Sequence, residues 1–177
     1  PGVEYRLLED AGGPLPVGDG EVDVVFTCLV LGGIQDTAAL AALGAEFERV
    51  LAPGGVAQLL GNWEVRVGER WDERVGEWLD AAGLDGWVIQ RELQDPAEYA
   101  ETWIRDGGTL PGPEFDRLYG AWLDDFESRG DTEVGFGYVT LRRPLSGGPT
   151  CRRFERLEAP LADSLGTHIA ALFAAAD

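Results

Sequence analysis

The chain has 177 residues, 45% hydrophobic and 26% charged, an ordinary balance for one domain with a real core. Its 32 Asp and Glu against 14 basic residues give a formal charge of -18, which repels polyanions and disfavours a nucleic-acid substrate. Two distant cysteines (Cys28, Cys151) and one histidine (His168) offer no metal-ligand spacing, and no apolar run suits a membrane span or signal peptide, so the reading is an acidic, cytoplasmic protein with reduced thiols.

Residues 3–7 alternate apolar and polar and predict a short strand, and the Gly- and Pro-rich residues 11–20 a loop. Residues 22–26 pack β-branched side chains together, as in a strand buried on both faces of a parallel sheet. Apolar positions at Leu40, Leu43, Phe47, Val50 and Leu51 give helical spacing over 37–51, with Asp36 as N-cap. Pro53-Gly54-Gly55 ends that helix, and 56–60 is a second buried strand, completing a right-handed βαβ unit.

A further amphipathic helix spans 69–82, closed by Gly83, and the next strand spans 87–93. Asp95-Pro96-Ala97-Glu98 supplies an N-cap, an N1 proline and an N3 acid for a helix striped by Tyr99, Trp103 and Ile104. A longer helix carrying Phe115, Leu118, Tyr119, Trp122, Leu123 and Phe126 ends at Gly130. Val134, Phe136 and Tyr138 alternate along a strand reaching Arg142, with Gly135 and Gly137 marking a bulge or close packing. After a break at 144–149, 151–157 is a short strand or arm, and 161–175 a last helix with His168 partly buried near its apolar face. Two regions follow, 1–143 with a helical insertion at 95–132, and a C-terminal arm and helix at 144–177 that binds a partner subunit or wraps the domain. The absence of Lys, with abundant Ala and Gly, reads as the codon bias of a GC-rich bacterial genome.

PLPVGDGEVDVVFTCLVLGGI (14–34) followed by FERVLAPGG (47–55) resembles the central part of class I S-adenosylmethionine (SAM)-dependent methyltransferases. The resemblance implies an α/β, partial Rossmann-like sheet, mostly parallel, with an antiparallel last strand preceded by the helical insertion. It implies SAM as cofactor. Asp10 matches the acid that accepts from the adenine amino group, Ala11 the backbone N–H beside it, and Phe26, Thr27 and Cys28 the strand end along the methionine part. The family's Gly-x-Gly-x-Gly turn has no counterpart here, so the chain reads as a C-terminal portion of such a domain.

GGVAQLLGNWE (54–64) and QDPAEYAETW (94–103) also resemble a bacterial methyltransferase family related to enzymes that methylate glutamine side chains or ribosomal RNA guanines. The Asn-Pro-Pro-aromatic motif of those relatives is replaced here by Phe26-Thr27-Cys28-Leu29. Ligands of open α/β sheets sit beyond the strands' carboxyl ends, so Asp10, Thr27 and Asn62 are expected on a common rim. Asn62 and Glu64 are then the catalytic candidates, Glu64 as base, and Trp63 a substrate-binding candidate or a core ring under the next helix. Two functions stay open. One is methyl transfer to a small-molecule or protein acceptor, by a chain that acts alone or as a homo-oligomer. The other is a non-catalytic interaction module whose exposed sheet edge another chain covers.

Overall fold

The computed structural model describes residues 14–28, 37–160 and 165–176. Along these the elements are β1 (Val22–Cys28), α1 (Thr37–Val50), β2 (Leu51–Arg66), α2 (Trp71–Ala82), β3 (Asp85–Gln94), α3 (Pro96–Asp106), α4 (Pro113–Arg129), β4 (Asp131–Arg142), β5 (Arg152–Arg156) and α5 (Leu165–Ala176). The expected strand at 3–7, the Asp36 cap and the start of the last helix at 161–164 lie outside the described residues.

One five-stranded sheet runs β1-β2-β4-β3-β5. β1 and β2 pair in parallel, as do β3 and β5, while β4 is antiparallel to both neighbours, β2 and β3. The inverted strand therefore lies between its two predecessors. α1 and α2 cover one face, where Leu59, Trp63, Val65, Val88, Val139 and Leu141 meet Phe47, Val75, Trp78 and Leu79 in the main core. The two helices cross closely at Gly44, where a Cβ would lie 2.6 Å from that of Ala82. On the other face α5 packs Ile169 and Phe173 onto Trp87 and Ile89. The residues after Arg143 thus return to the sheet through both β5 and α5.

The local signals act where expected. The Asp95 carboxylate accepts from the Glu98 N–H at 2.8 Å, capping α3, and Gly83 and Gly130 take left-handed φ of 67° and 73° behind α2 and α4. Three features differ. β2 extends six residues past its expected end, so Asn62, Trp63 and Glu64 lie inside the strand rather than after it. β1 was expected between two covered faces; among the described residues it pairs only with β2, and Val24 and Phe26 are 64% and 69% exposed. His168 is exposed, its ring meeting Trp87 edge-on, rather than partly buried.

Candidate functional site

The irregular first residues of β2, which include the Pro53-Gly54-Gly55 expected as a turn before the strand, explain the residues that carry the family resemblance. Gly54 has φ of 80°, and a Cβ on Gly55 would come within 2.8 Å of the Ala52 carbonyl and 3.0 Å of that of Val22. Arg49, the arginine of the motif, ends α1 and reaches back. Its guanidinium donates to the carbonyls of Val17 and Leu15 and to the carboxylates of Asp19 and Glu46. Glu46 in turn accepts the Leu15 N–H at 2.6 Å. The Arg49 hydrogen bond holds the Glu46 carboxyl below the usual carboxylate range. This clamp fixes the segment that feeds β1 against the end of α1.

At the carboxyl end of β1, Thr27 pairs with Leu59 and Cys28 with Leu60. Side chains alternate across a sheet, so Thr27 shares the α1–α2 face with Val25 and Leu59, whereas Asn62 projects from the opposite face with Phe26. The common-rim expectation is corrected accordingly: Thr27 and Asn62 lie toward the same end of parallel strands but on opposite faces. Asp10 and Ala11 lie outside the described residues. The exposed Phe26 ring and the last residues of β1 suit one wall of a cofactor cleft beyond a parallel strand pair.

Asn62 lies under the helical insertion. Its Nδ2 donates to the Tyr99 hydroxyl on α3 at 2.7 Å. The Tyr99 ring sits 5.6–6.0 Å from those of Phe136 on β4, Trp122 and Phe126 on α4, and Trp103 on its own helix. Asn62 Oδ1 has no partner among the described residues, and the tyrosine keeps its own proton to donate. One acceptor and one donor are therefore presented side by side in an aromatic setting. Tyr99 was legible only as part of an apolar stripe; the rise of α3 from Asp95 set its phase, but nothing in the sequence paired it with Asn62.

Burial raises the Tyr99 phenol above its ordinary 10.0, and the nearby Glu64 charge adds to this, against the opposing hydrogen bond from Asn62. The folded state thus favours the neutral phenol. That contribution is whole below the unfolded value and is lost as pH climbs through it toward the folded one. Tyr99→Phe is expected to cost about 0.5–1.5 kcal/mol at neutral pH. It is also expected to flatten the fall in stability above about pH 10, as thermal melts across that range would show.

Glu64 is held on both oxygens, by Arg74 of α2 at 3.2 Å and Arg129 of α4 at 3.0 Å. Arg129 also meets Asp125 and the fully buried Asp131, which Arg66 approaches at 3.4 Å. These pairs tie α2, α4, β2 and β4 together, so the expected base is an anchoring carboxylate with both oxygens engaged. Trp63 is 8% exposed, donates Nε1 to Gln90 Oε1 at 3.1 Å and stacks on Trp71 at 5.9 Å. Its ring is part of the core under α2, not an open substrate platform. Gly135 leaves room for it, since a Cβ there would come within 3.0 Å of the indole.

Among the described residues no three His, Cys, Asp or Glu side chains gather to hold a metal, and no helix is long and apolar enough to cross a membrane. Cys151 is a free, half-buried thiol whose pKa burial raises.

A parallel β1–α1–β2 unit followed by an inverted strand between its predecessors is the partial class I methyltransferase fold that the resemblance implies. No protein-family model and no curated protein sequence matches the chain. Among solved structures, the chain is similar to phosphoethanolamine N-methyltransferase 2 of Haemonchus contortus, solved with phosphomonomethylethanolamine and S-adenosylhomocysteine. The identity is 16% and the TM-score 0.44, over 72% of this chain and 34% of that one. It is similar to the [4+2]-cyclase SpnF at 23% identity and TM-score 0.41, over 77% and 54%. It is also similar to the YcgJ protein of Bacillus subtilis at 14% and 0.47, over 78% and 70%. The chain thus spans about a third to a half of the first two of these proteins.

Proposed function

We propose that the chain forms the acceptor side of a cytoplasmic, SAM-dependent methyltransferase acting on a small-molecule or protein acceptor. The observation that carries this reading is the Asn62–Tyr99 pair, set among aromatic rings under the α3–α4 insertion of a partial methyltransferase sheet. When bound, SAM supplies an already activated methyl group, so no covalent nucleophile is required. Asp10, Ala11, Phe26, Thr27 and Cys28 are assigned to the cofactor. Asn62 Oδ1 and the Tyr99 hydroxyl orient the acceptor by taking and giving one hydrogen bond each. Glu64, ion-paired to Arg74 and Arg129, holds α2 and α4 over this end of β2, and the proton lost by the acceptor passes to water. Trp63 acts by positioning β2 against β3.

Calorimetric titration of the full-length protein with SAM and with S-adenosylhomocysteine tests this. Micromolar binding of both is the expected result. Asn62→Ala is expected to leave that affinity unchanged and to lower methyl transfer on the order of 10²-fold. The non-catalytic module is favoured by β1, which among the described residues pairs on one side only, with Val24 and Phe26 exposed. Absence of binding by the full-length protein would establish that second reading instead.

A further inference from the structure

We infer that β5 is a self-complementary edge through which two copies of this chain join across a two-fold axis, Phe154 opposite Phe154, into one continuous sheet. Among the described residues β5 pairs only with β3. The Cys151 carbonyl accepts from the Gly86 N–H, and the Leu157 N–H donates to the Gln90 carbonyl. Backbone groups alternate along a strand, so Arg153 and Glu155 also turn theirs toward β3. Arg152, Phe154 and Arg156 turn theirs outward, toward no other strand among the described residues. An antiparallel pair centred on Phe154 sets 154 against 154 and 152 against 156, each exchanging both backbone bonds.

The side chains fit the same register. Arg153 of one copy falls opposite Glu155 of the other, twice, at the closely spaced positions of the ladder. These two side chains contact each other within one chain and are 48% and 29% exposed. Arg152 would face Arg156, and both guanidinium groups are drawn back toward their own chain. Arg152 pairs with Asp80 of α2 and lies over the Phe154 ring; Arg156 lies over Trp71 and next to Asp72. Residues 142–156 hold five Arg and one acid on a chain whose formal charge is -18. The two copies therefore meet away from the bulk of their negative charge.

Sedimentation velocity on the 177-residue chain, from low to high micromolar concentration, tests the assignment. The wild type is expected to dimerise. Arg153→Glu sets acid against acid across the axis and Glu155→Arg sets base against base, so each alone is expected to weaken the dimer on the order of 10²-fold or more. A mixture of the two variants restores both cross-strand pairs and is expected to give a 1:1 heterodimer, which a role confined to one chain would not produce. A monomeric wild type, variants that dimerise like it, or a mixture that stays monomeric would each overturn the proposal. Should a charge variant lose the wild-type circular dichroism spectrum, Arg156→Pro decides. It removes an outward N–H without touching the bonds to β3, and a dimer that persists in it would overturn the proposal equally.

Discussion

Asp85→Ala is expected to destabilise the protein by about 3–5 kcal/mol, the range for breaking a buried ion pair on one side. Asp85 is fully buried at the start of β3, directly across from Arg142 at the end of β4. Oδ2 accepts from Arg142 Nε at 3.0 Å and Nη2 at 2.6 Å, and Oδ1 accepts from the backbone N–H groups of Thr150 and Cys151 at 2.7 and 2.9 Å. Arg142, 6% exposed, also donates to the Phe173 carbonyl and lies over the Phe173 ring at 4.9 Å. One carboxylate thus joins β3, β4, the entry to β5 and, through its arginine, α5. Removing it takes the carboxylate from a buried guanidinium and the acceptor from two backbone donors at once. Asp85→Asn is expected to cost nearly as much, because an amide cannot face the guanidinium and both N–H groups as an acceptor throughout. Urea unfolding of Asp85→Ala, Arg142→Ala and the double variant measures the coupling. A double variant whose loss equals the sum of the two singles would refute it.

That ion pair marks the limit of what the sequence discloses. The βαβ unit was legible because its signals are local. A β-branched run and a helical stripe ending at Arg49-Val50 each act within a few residues, and the structure shows them doing so; Pro53-Gly54-Gly55, expected as a turn, is the irregular first part of β2. The α3 cap was legible for the same reason. Asp85 was not, since its partners lie 57 and 65–66 residues away and nothing near it distinguishes it from a turn acid. Arg142 was legible only as the end of a strand.

The candidate site divides along the same line. Asn62 was found by its place near the end of a predicted strand, but its hydroxyl partner Tyr99 lies 37 residues on. Trp63 and Glu64 were placed past that strand because 56–60 already satisfied the expected length; β2 continues to Arg66 because β4 supplies a partner as far as Asp131. Strand length is set by the partner strand, which periodicity within one segment does not reveal. Once the strand is extended, alternation alone sends Trp63 to the core and Asn62 and Glu64 to the opposite face.

Gly137→Ala is expected to be nearly as damaging, at about 3 kcal/mol, the upper end of overpacking costs. Gly137 lies in β4, the middle strand of the five, between Gly61 and Gln90. The β3 register shifts between Gln90 and Glu92, placing an additional residue opposite this point. A Cβ on Gly137 would run into the Ile89 carbonyl oxygen, and its third neighbour would be the Trp63 ring at 3.0 Å. The first obstacle is backbone, so no rotamer change relieves it, and β3 and β4 must spread. Phe136 would move with them, away from Tyr99, so the acceptor pair and the sheet should loosen together. Gly135→Ala meets side chains instead, Trp63 Nε1 and Gln90 Oε1. It should cost less, about 1–2 kcal/mol, chiefly through the hydrogen bond between them. Gly120 in α4 has nothing within 4 Å of an added Cβ, so Gly120→Ala should stabilise the protein by about 0.5–1 kcal/mol through helix propensity alone. Chemical denaturation of the three variants checks the ordering, and a Gly137→Ala protein as stable as wild type would show that the close β3–β4 approach is not what selects glycine there.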